Sequence, residues 1–158
     1  MDRQDDSSAV NPVLAGEDCF ASHRGLGISA IAFKVAAQDS SAVFIIENTF
    51  HSKGGPARHL HFEQEEWFYA VEGEFLLEIG SEQFLLKPGD SVLAPRQVPH
   101  VWAHVGEGLG RMLIVFTPAG QMEAFFREVT RENAMPAQDP ELWRRHGMEL
   151  LGPPLRVE

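Results

Sequence analysis

Between residues 28 and 116 the apolar positions come in short bursts of four to nine, cut by glycine, proline and acidic residues. Strands are predicted over 28–36, 42–50, 66–71, 75–79, 82–86, 91–94, 100–105 and 111–116. Gly80-Ser81 fits a two-residue hairpin turn between two of them, and Glu72-Gly73 and Lys87-Pro88-Gly89-Asp90 read as further turns. The run Val43-Phe44-Ile45-Ile46 is continuously apolar, which predicts burial on both faces of that strand. Ser52-Lys53-Gly54-Gly55-Pro56 breaks any regular element. No stretch of 25–117 has the period of a long helix. Many short strands with regular punctuation predict an all-β antiparallel sandwich or barrel, and argue against a βαβ nucleotide-binding sheet.

The period changes after residue 117. Met122, Phe125, Phe126 and Val129 fall at i, i+3, i+4 and i+7, one face of an amphipathic helix, with Thr117 as its expected cap and Pro118 at its first position. A second short helix is expected over 140–146, capped by Asp139 and stopped at Gly147. Both helices are expected to pack on the outside of the barrel. The resulting organisation is a disordered or loosely docked tail over 1–12 and one domain over 13–158. Its barrel covers about 25–117 and its helical extension 118–158. There is no internal repeat.

Charge narrows the partners. The chain has 13 basic and 23 acidic residues, a formal charge of −10, which repels nucleic-acid phosphates and anionic membranes. No apolar run approaches the roughly 20 residues of a membrane span. The polar, acidic start lacks the apolar core of a secretory signal, so a cytoplasmic location is the expectation. Cys19 is the single cysteine; it can form no internal disulfide, and a thiolate zinc site is excluded. The seven histidines are then the borderline ligands left for a metal.

The chemistry concentrates in His59-Leu60-His61-Phe62-Glu63-Gln64-Glu65-Glu66. Histidines at i and i+2 of an extended segment point to the same face, so His59 and His61 can bind one ion together. A carboxylate opening the next strand can fold back onto that ion, and Glu63, Glu65 and Glu66 are the candidates. His100, fixed in direction by Pro99, is the best placed fourth ligand. Three neutral imidazoles and a carboxylate suit one divalent Fe, Mn, Co, Ni, Cu or Zn ion, with one or two positions left for water or substrate. Phe68 shares strand parity with Glu66, and Trp102 and His104 share it with His100, so these three are the candidate substrate contacts. His104 reads equally as a group supporting the ligands or an ordinary strand histidine. Trp67 and Tyr69 face the opposite way. His23, His51 and His146 lie in a polar loop, before a turn and at a helix end, and are weak candidates for substrate contact.

The longer pattern is His59-x-His61, four residues, Glu66, six residues, Gly73, and later Gly89, five residues, Pro95, then His100. It resembles the two motifs of the cupin superfamily, over roughly residues 54–104. The spacing to Gly73 selects Glu66 over Glu63 and Glu65. The resemblance implies a jelly-roll, a double-stranded β-helix of six to eight strands, with the metal inside and His59, His61, Glu66 and His100 as ligands. Three positions depart from the pattern: Gly54 and Gly55 lie nearer His59 than usual, Gln97 stands where a glycine is expected, and His104 where an asparagine is often found. The Gln97 departure predicts a different turn.

There is no Gly-x-Gly-x-x-Gly, no phosphate-binding Gly-x-x-x-x-Gly-Lys-Ser/Thr and no Gly-x-Ser-x-Gly elbow. Through Ala119-Gly120-Gln121-Met122-Glu123-Ala124-Phe125-Phe126 and Glu149-Leu150-Leu151-Gly152-Pro153-Pro154-Leu155, the chain is similar to small single-domain cupins related to quercetin dioxygenases. That resemblance implies a metal-dependent dioxygenase of an aromatic or enolic, flavonol-like substrate, with Glu66 serving both as ligand and as acceptor of the substrate's proton. The same site could serve a metal-assisted isomerase, epimerase or lyase acting on a sugar or small acid, or a small-molecule-binding protein without turnover. The partners expected are a small-molecule substrate and a second copy in a homodimer, with no nucleic acid and no membrane.

Overall fold

A computed structural model of the chain describes residues 10–158; the expected tail falls largely outside them. Eleven strands and two short helices follow in the order β1 (Arg24–Gly25), β2 (Ser29–Val35), β3 (Phe44–Phe50), β4 (Arg58–His61), β5 (Glu65–Glu72), β6 (Phe75–Ile79), β7 (Glu82–Leu86), β8 (Ser91–Ala94), β9 (His100–His104), β10 (Gly110–Thr117), α1 (Met122–Val129), α2 (Pro140–Arg144) and β11 (Met148–Gly152). They form two antiparallel sheets, one ordered β1-β2-β3-β10-β5-β8 and the other β11-β4-β9-β6-β7. The expected all-β jelly-roll is the architecture present. It has more strands than the six to eight anticipated: β1 and β11 extend the outer edges, and β4 adds a short strand that carries His59 and His61.

Alternation along the strands builds the interior. In β3, Phe44, Ile46, Asn48 and Phe50 are buried while the residues between them are half-buried. The apolar run at 43–46 therefore follows the ordinary period of two, and its outward residues are only partly covered. In β5, Glu66, Phe68 and Ala70 point inward and Trp67 and Tyr69 outward, the latter two rings stacked at 5.6 Å. In β10, Met112, Ile114 and Phe116 face them across the ladder. Gly80 takes φ +59 in a two-residue turn that pairs Ile79 with Glu82, a conformation open to glycine at little cost. At Gly55 a Cβ would lie 2.0 Å from the Trp102 carbonyl. Only glycine lets the 52–56 loop press this closely on β9.

The helices occupy the expected places outside the strands, and their buried faces close over the open side of the barrel. Met122, Phe125 and Phe126 of α1 are buried as the period requires. The expected cap is wrong: Thr117 still belongs to β10, paired with Glu65, and α1 starts only after Gln121, which makes no side-chain cap. The sheet ladder outcompetes the helix for Thr117. Asp139 does cap α2, accepting from the Glu141 N–H at 3.1 Å. Gln64 ties the β4–β5 turn to the entry of α1 by donating to the carbonyls of Pro118 and Ala119. No helix among the described residues is long and apolar enough to cross a membrane.

Candidate metal centre

The four predicted ligands converge. His59 and His61 stand on β4 and His100 on β9, with His59 and His100 directly paired across the ladder. Glu66 comes from β5 in the facing sheet. The site is thus clamped between the two layers, three imidazoles from one and a carboxylate from the other. All four residues are buried, and one ligand atom from each lies within 4.8 Å of the rest. Glu63 is exposed, and Glu65 points outward to an ion pair with Arg96, so Glu66 alone of the three acidic neighbours reaches the interior.

The hydrogen bonds around the rings show what the cluster is prepared to hold. His59 Nδ1 lies 2.7 Å from the Ala57 carbonyl and His100 Nδ1 lies 3.2 Å from that of Val98. A carbonyl only accepts, so each Nδ1 carries the proton, and in the neutral ring each Nε2 presents a lone pair. Those Nε2 atoms face Glu66 Oε2, at 4.0 Å from His59 and 2.8 Å from His100, while His61 Nε2 approaches it at 2.9 Å. Lone pairs aimed at a carboxylate repel unless a proton or a cation sits among them. Burial, and then the charges of His100 and His61, push the His59 pKa well below the usual imidazole value, outweighing the pull of Glu66. Burial pushes Glu66 upward, but where the cluster holds protons instead of a cation, the hydrogen bonds and charges of the protonated His100 and His61 rings outweigh it and keep the carboxyl ionised. A neutral imidazole and an ionised carboxylate are the forms a divalent metal binds. The donor set fits one such ion.

Gln97 shows how the second motif survives its missing glycine. It adopts φ +64, the left-handed conformation a glycine would supply. Its N–H donates to the His61 carbonyl at 2.7 Å and its side chain to the Phe62 carbonyl at 3.3 Å. The expectation of a different turn is therefore corrected. These two hydrogen bonds hold Gln97 in a geometry that costs a non-glycine residue roughly 1 kcal/mol.

Of the candidate substrate contacts, Trp102 lines the cavity beside the metal cluster. Phe68 is fully buried and packs on His100 (6.1 Å between ring centres) and Trp102 (5.7 Å) without lining the cavity. His104 has the expected parity, yet it lies outside the lining, packed between Phe50 and Phe75 with Nδ1 donating to the Ser52 carbonyl at 3.2 Å. His23 and His51 are exposed, and His146 packs on Phe125 and donates to the Leu142 carbonyl.

The cavity has members that the strand pattern did not reveal. Seven of its eighteen lining residues come from the C-terminal extension, among them Phe125, Trp143 and Met148. Trp143 lies with its ring centre 5.0 Å from that of His59, and its indole N–H is held by the Ala137 carbonyl at 2.9 Å. β11 pairs with β4 directly behind the two histidines, Met148 opposite His61 and Leu150 opposite His59. Asn48 and Ser29 are the lining's other polar residues besides His59 and Glu66. The free space is narrow, about 40 Å³ for the centres of water molecules, enough for an ion and a few waters.

Residues 48–116 match the model of the cupin domain, and the chain shares the fold of an RmlC-like cupin. It is 35% identical over 48 residues to the uncharacterized protein MJ1618 of Methanocaldococcus jannaschii, a match covering 30% of this chain and 38% of that protein. The chain thus spans less than half the length of that relative. Its fold is shared with KdgF from Halomonas sp. at a TM-score of 0.62 and 17% identity, covering 73% of this chain and 99% of that one. It is also shared with an RmlC-like cupin from Shewanella frigidimarina, at 0.54 and 19%, covering 70% and 93%.

Proposed function

We propose that the protein is a metal-dependent dioxygenase of an apolar aromatic or enolic small molecule. The observation that carries this reading is the polarity of the cavity. Fourteen of its eighteen lining residues are apolar or aromatic, and no lysine or arginine is among them. A sugar or sugar acid buried there would leave hydroxyls and charges without partners, at about 1–3 kcal/mol for each neutral group. An aromatic enol loses little, because its one strongly polar edge can turn to the metal end.

A bound divalent ion would supply a Lewis acid that lowers the pKa of an enolic hydroxyl and a place for oxygen to react. His59, His61, Glu66 and His100 would hold it. Glu66 is the only carboxylate in the lining, and it accepts the enol proton on a carboxylate oxygen. Trp102 and Trp143 flank the cluster and orient a flat ring, and the phenylalanines of α1 keep water out. Because the free space is so small, substrate entry requires side chains of the C-terminal extension to shift.

Oxygen uptake tests the reading. Protein loaded in turn with Fe, Mn, Co, Ni and Cu is expected to consume oxygen with 3-hydroxychromone or a flavonol. No uptake with any metal across such enols overturns it. Turnover under anaerobic conditions would instead indicate redox-neutral isomerase or lyase chemistry, and retention of an unaltered small molecule a binding role.

A further inference from the structure

Three buried side-chain atoms among the described residues have no hydrogen-bond partner: Asn48 Oδ1, His61 Nδ1 and His104 Nε2. His61 is in the metal cluster and His104 lies outside the cavity. Asn48 is neither: it is 5% exposed, lines the cavity, and is not a metal ligand. Its cross-strand neighbours are Ile31 on β2 and Met112 on β10, which offer it nothing. More than about nine in ten buried polar groups in proteins are satisfied, and an orphaned one costs about 1–3 kcal/mol. Ser29, two residues before Ile31 on β2, is also buried and also lines the cavity. Together they form a second polar spot in an otherwise apolar space.

This spot is remote from the metal end. Glu66 stands opposite Phe116 of β10, whereas Asn48 stands opposite Met112. Four residues of β10 separate the two rows, roughly 13 Å of strand. Neither Asn48 nor Ser29 is charged, so the group recognised there is neutral. An amide presents a carbonyl by one orientation and an N–H by the other, so a hydroxyl suits it as both donor and acceptor.

We propose that Asn48, supported by Ser29, is the specificity anchor of the cavity and takes a neutral hydroxyl at the end of the substrate farthest from the metal. The substrate class is then an elongated, flat, apolar molecule with an enolic oxygen at one end and a single phenol-like hydroxyl at the other. This rests on the reading that the metal end receives an enol.

A matched pair of probes tests it. Binding of 3-hydroxychromone and of 3,7-dihydroxychromone to the metal-loaded protein is measured by calorimetry, for the wild type and for Asn48→Leu and Asn48→Ala. The wild type is expected to bind the dihydroxy compound about 10-fold more tightly, and both variants to lose that preference while retaining the parent compound. The unfolding temperature of metal-free Asn48→Leu is measured alongside. It is expected to rise by a few degrees, because an orphaned amide gives way to an apolar side chain of similar shape. An unchanged preference in the variants, or a wild type without one, overturns the anchor. So does a lower unfolding temperature of Asn48→Leu, which would show that the amide braces the fold. If neither probe binds the wild type, the enol reading fails, and the unfolding temperature alone decides: a rise retains Asn48 as a ligand-facing group and a fall removes it.

Discussion

At one end of the cavity polar atoms are crowded: three imidazole nitrogens and a carboxylate oxygen converge, and His59 and Glu66 bring the cluster to the cavity lining. Toward the other, Asn48 and Ser29 are isolated among apolar neighbours. The crowded end is assembled from β4 and β5, joined by one short turn that crosses between the sheets, and from β9, the ladder partner of β4, so most of its geometry follows from short-range spacing. The sparse end draws on β2, β3 and the C-terminal extension, segments far apart in sequence. The candidate metal ligands are thus set locally, and the far end of the cavity is set by tertiary packing.

Removing the wall beside the crowded end gives the largest expected effect. Trp143 is 1% exposed and packs on both His59 and Phe125. Trp143→Ala is expected to destabilise the protein by about 3–5 kcal/mol, as large buried aromatics do on truncation, measured by urea unfolding. If the extension were a loosely docked ornament the loss would stay below about 1 kcal/mol, and the contrast between the ends would have to be redrawn without it.

Asp18 probes the sparse end at its root. It accepts from the N–H groups of Phe20 and Phe33, each at 2.8 Å, and from Arg24 at 2.9 Å, fixing the segment that leads into Leu26 and Ser29. Burial raises its pKa, but the Arg24 hydrogen bond, the two backbone N–H groups and the Arg24 charge outweigh that and hold the carboxyl below its usual value. The stability it contributes is therefore complete above the unfolded pKa, near roughly 4, and is lost as pH falls through the lower folded value. Asp18→Asn is expected to cost about 2–3 kcal/mol at neutral pH and to flatten the loss of stability below about pH 4. A variant with an unchanged acid profile would remove Asp18 from that role.

The smallest effect belongs to the metal end. Gln97→Gly relieves the left-handed backbone at the turn that meets the His61 carbonyl, and is expected to change stability by less than about 1 kcal/mol while leaving metal affinity unchanged. A large fall in affinity would mean that the glutamine side chain, through Phe62, helps to aim the histidines.

The crowded end was legible in the sequence because its information is local. Parity on an extended segment joined His59 to His61, and the motif spacing chose Glu66 and His100. Turn chemistry was legible where a residue type dictates conformation, as at Gly80, and misleading at Gln97, where hydrogen bonds hold a non-glycine residue left-handed. Thr117 was misassigned because a sheet partner, absent from any local window, claims it. Asn48 and Trp143 carry no local signal at all: an asparagine in a strand and a tryptophan in a five-residue helix acquire meaning only once strand register and helix docking bring them to one cavity. His104 illustrates the converse, since it shares the parity of His100 but its strand carries it past the end of the cavity.

The most direct measurement is metal content. Wild-type protein dialysed against a mixture of divalent first-row metals and analysed by elemental mass spectrometry is expected to retain one equivalent per chain. Glu66→Ala and His61→Ala, each checked for folding by circular dichroism, are expected to retain less than about a tenth of it, a ligand's loss exceeding the 10–100-fold effect of an outer-shell partner. Equal retention by folded variants and wild type, or no retention by the wild type, would contradict a metal centre built from these four residues.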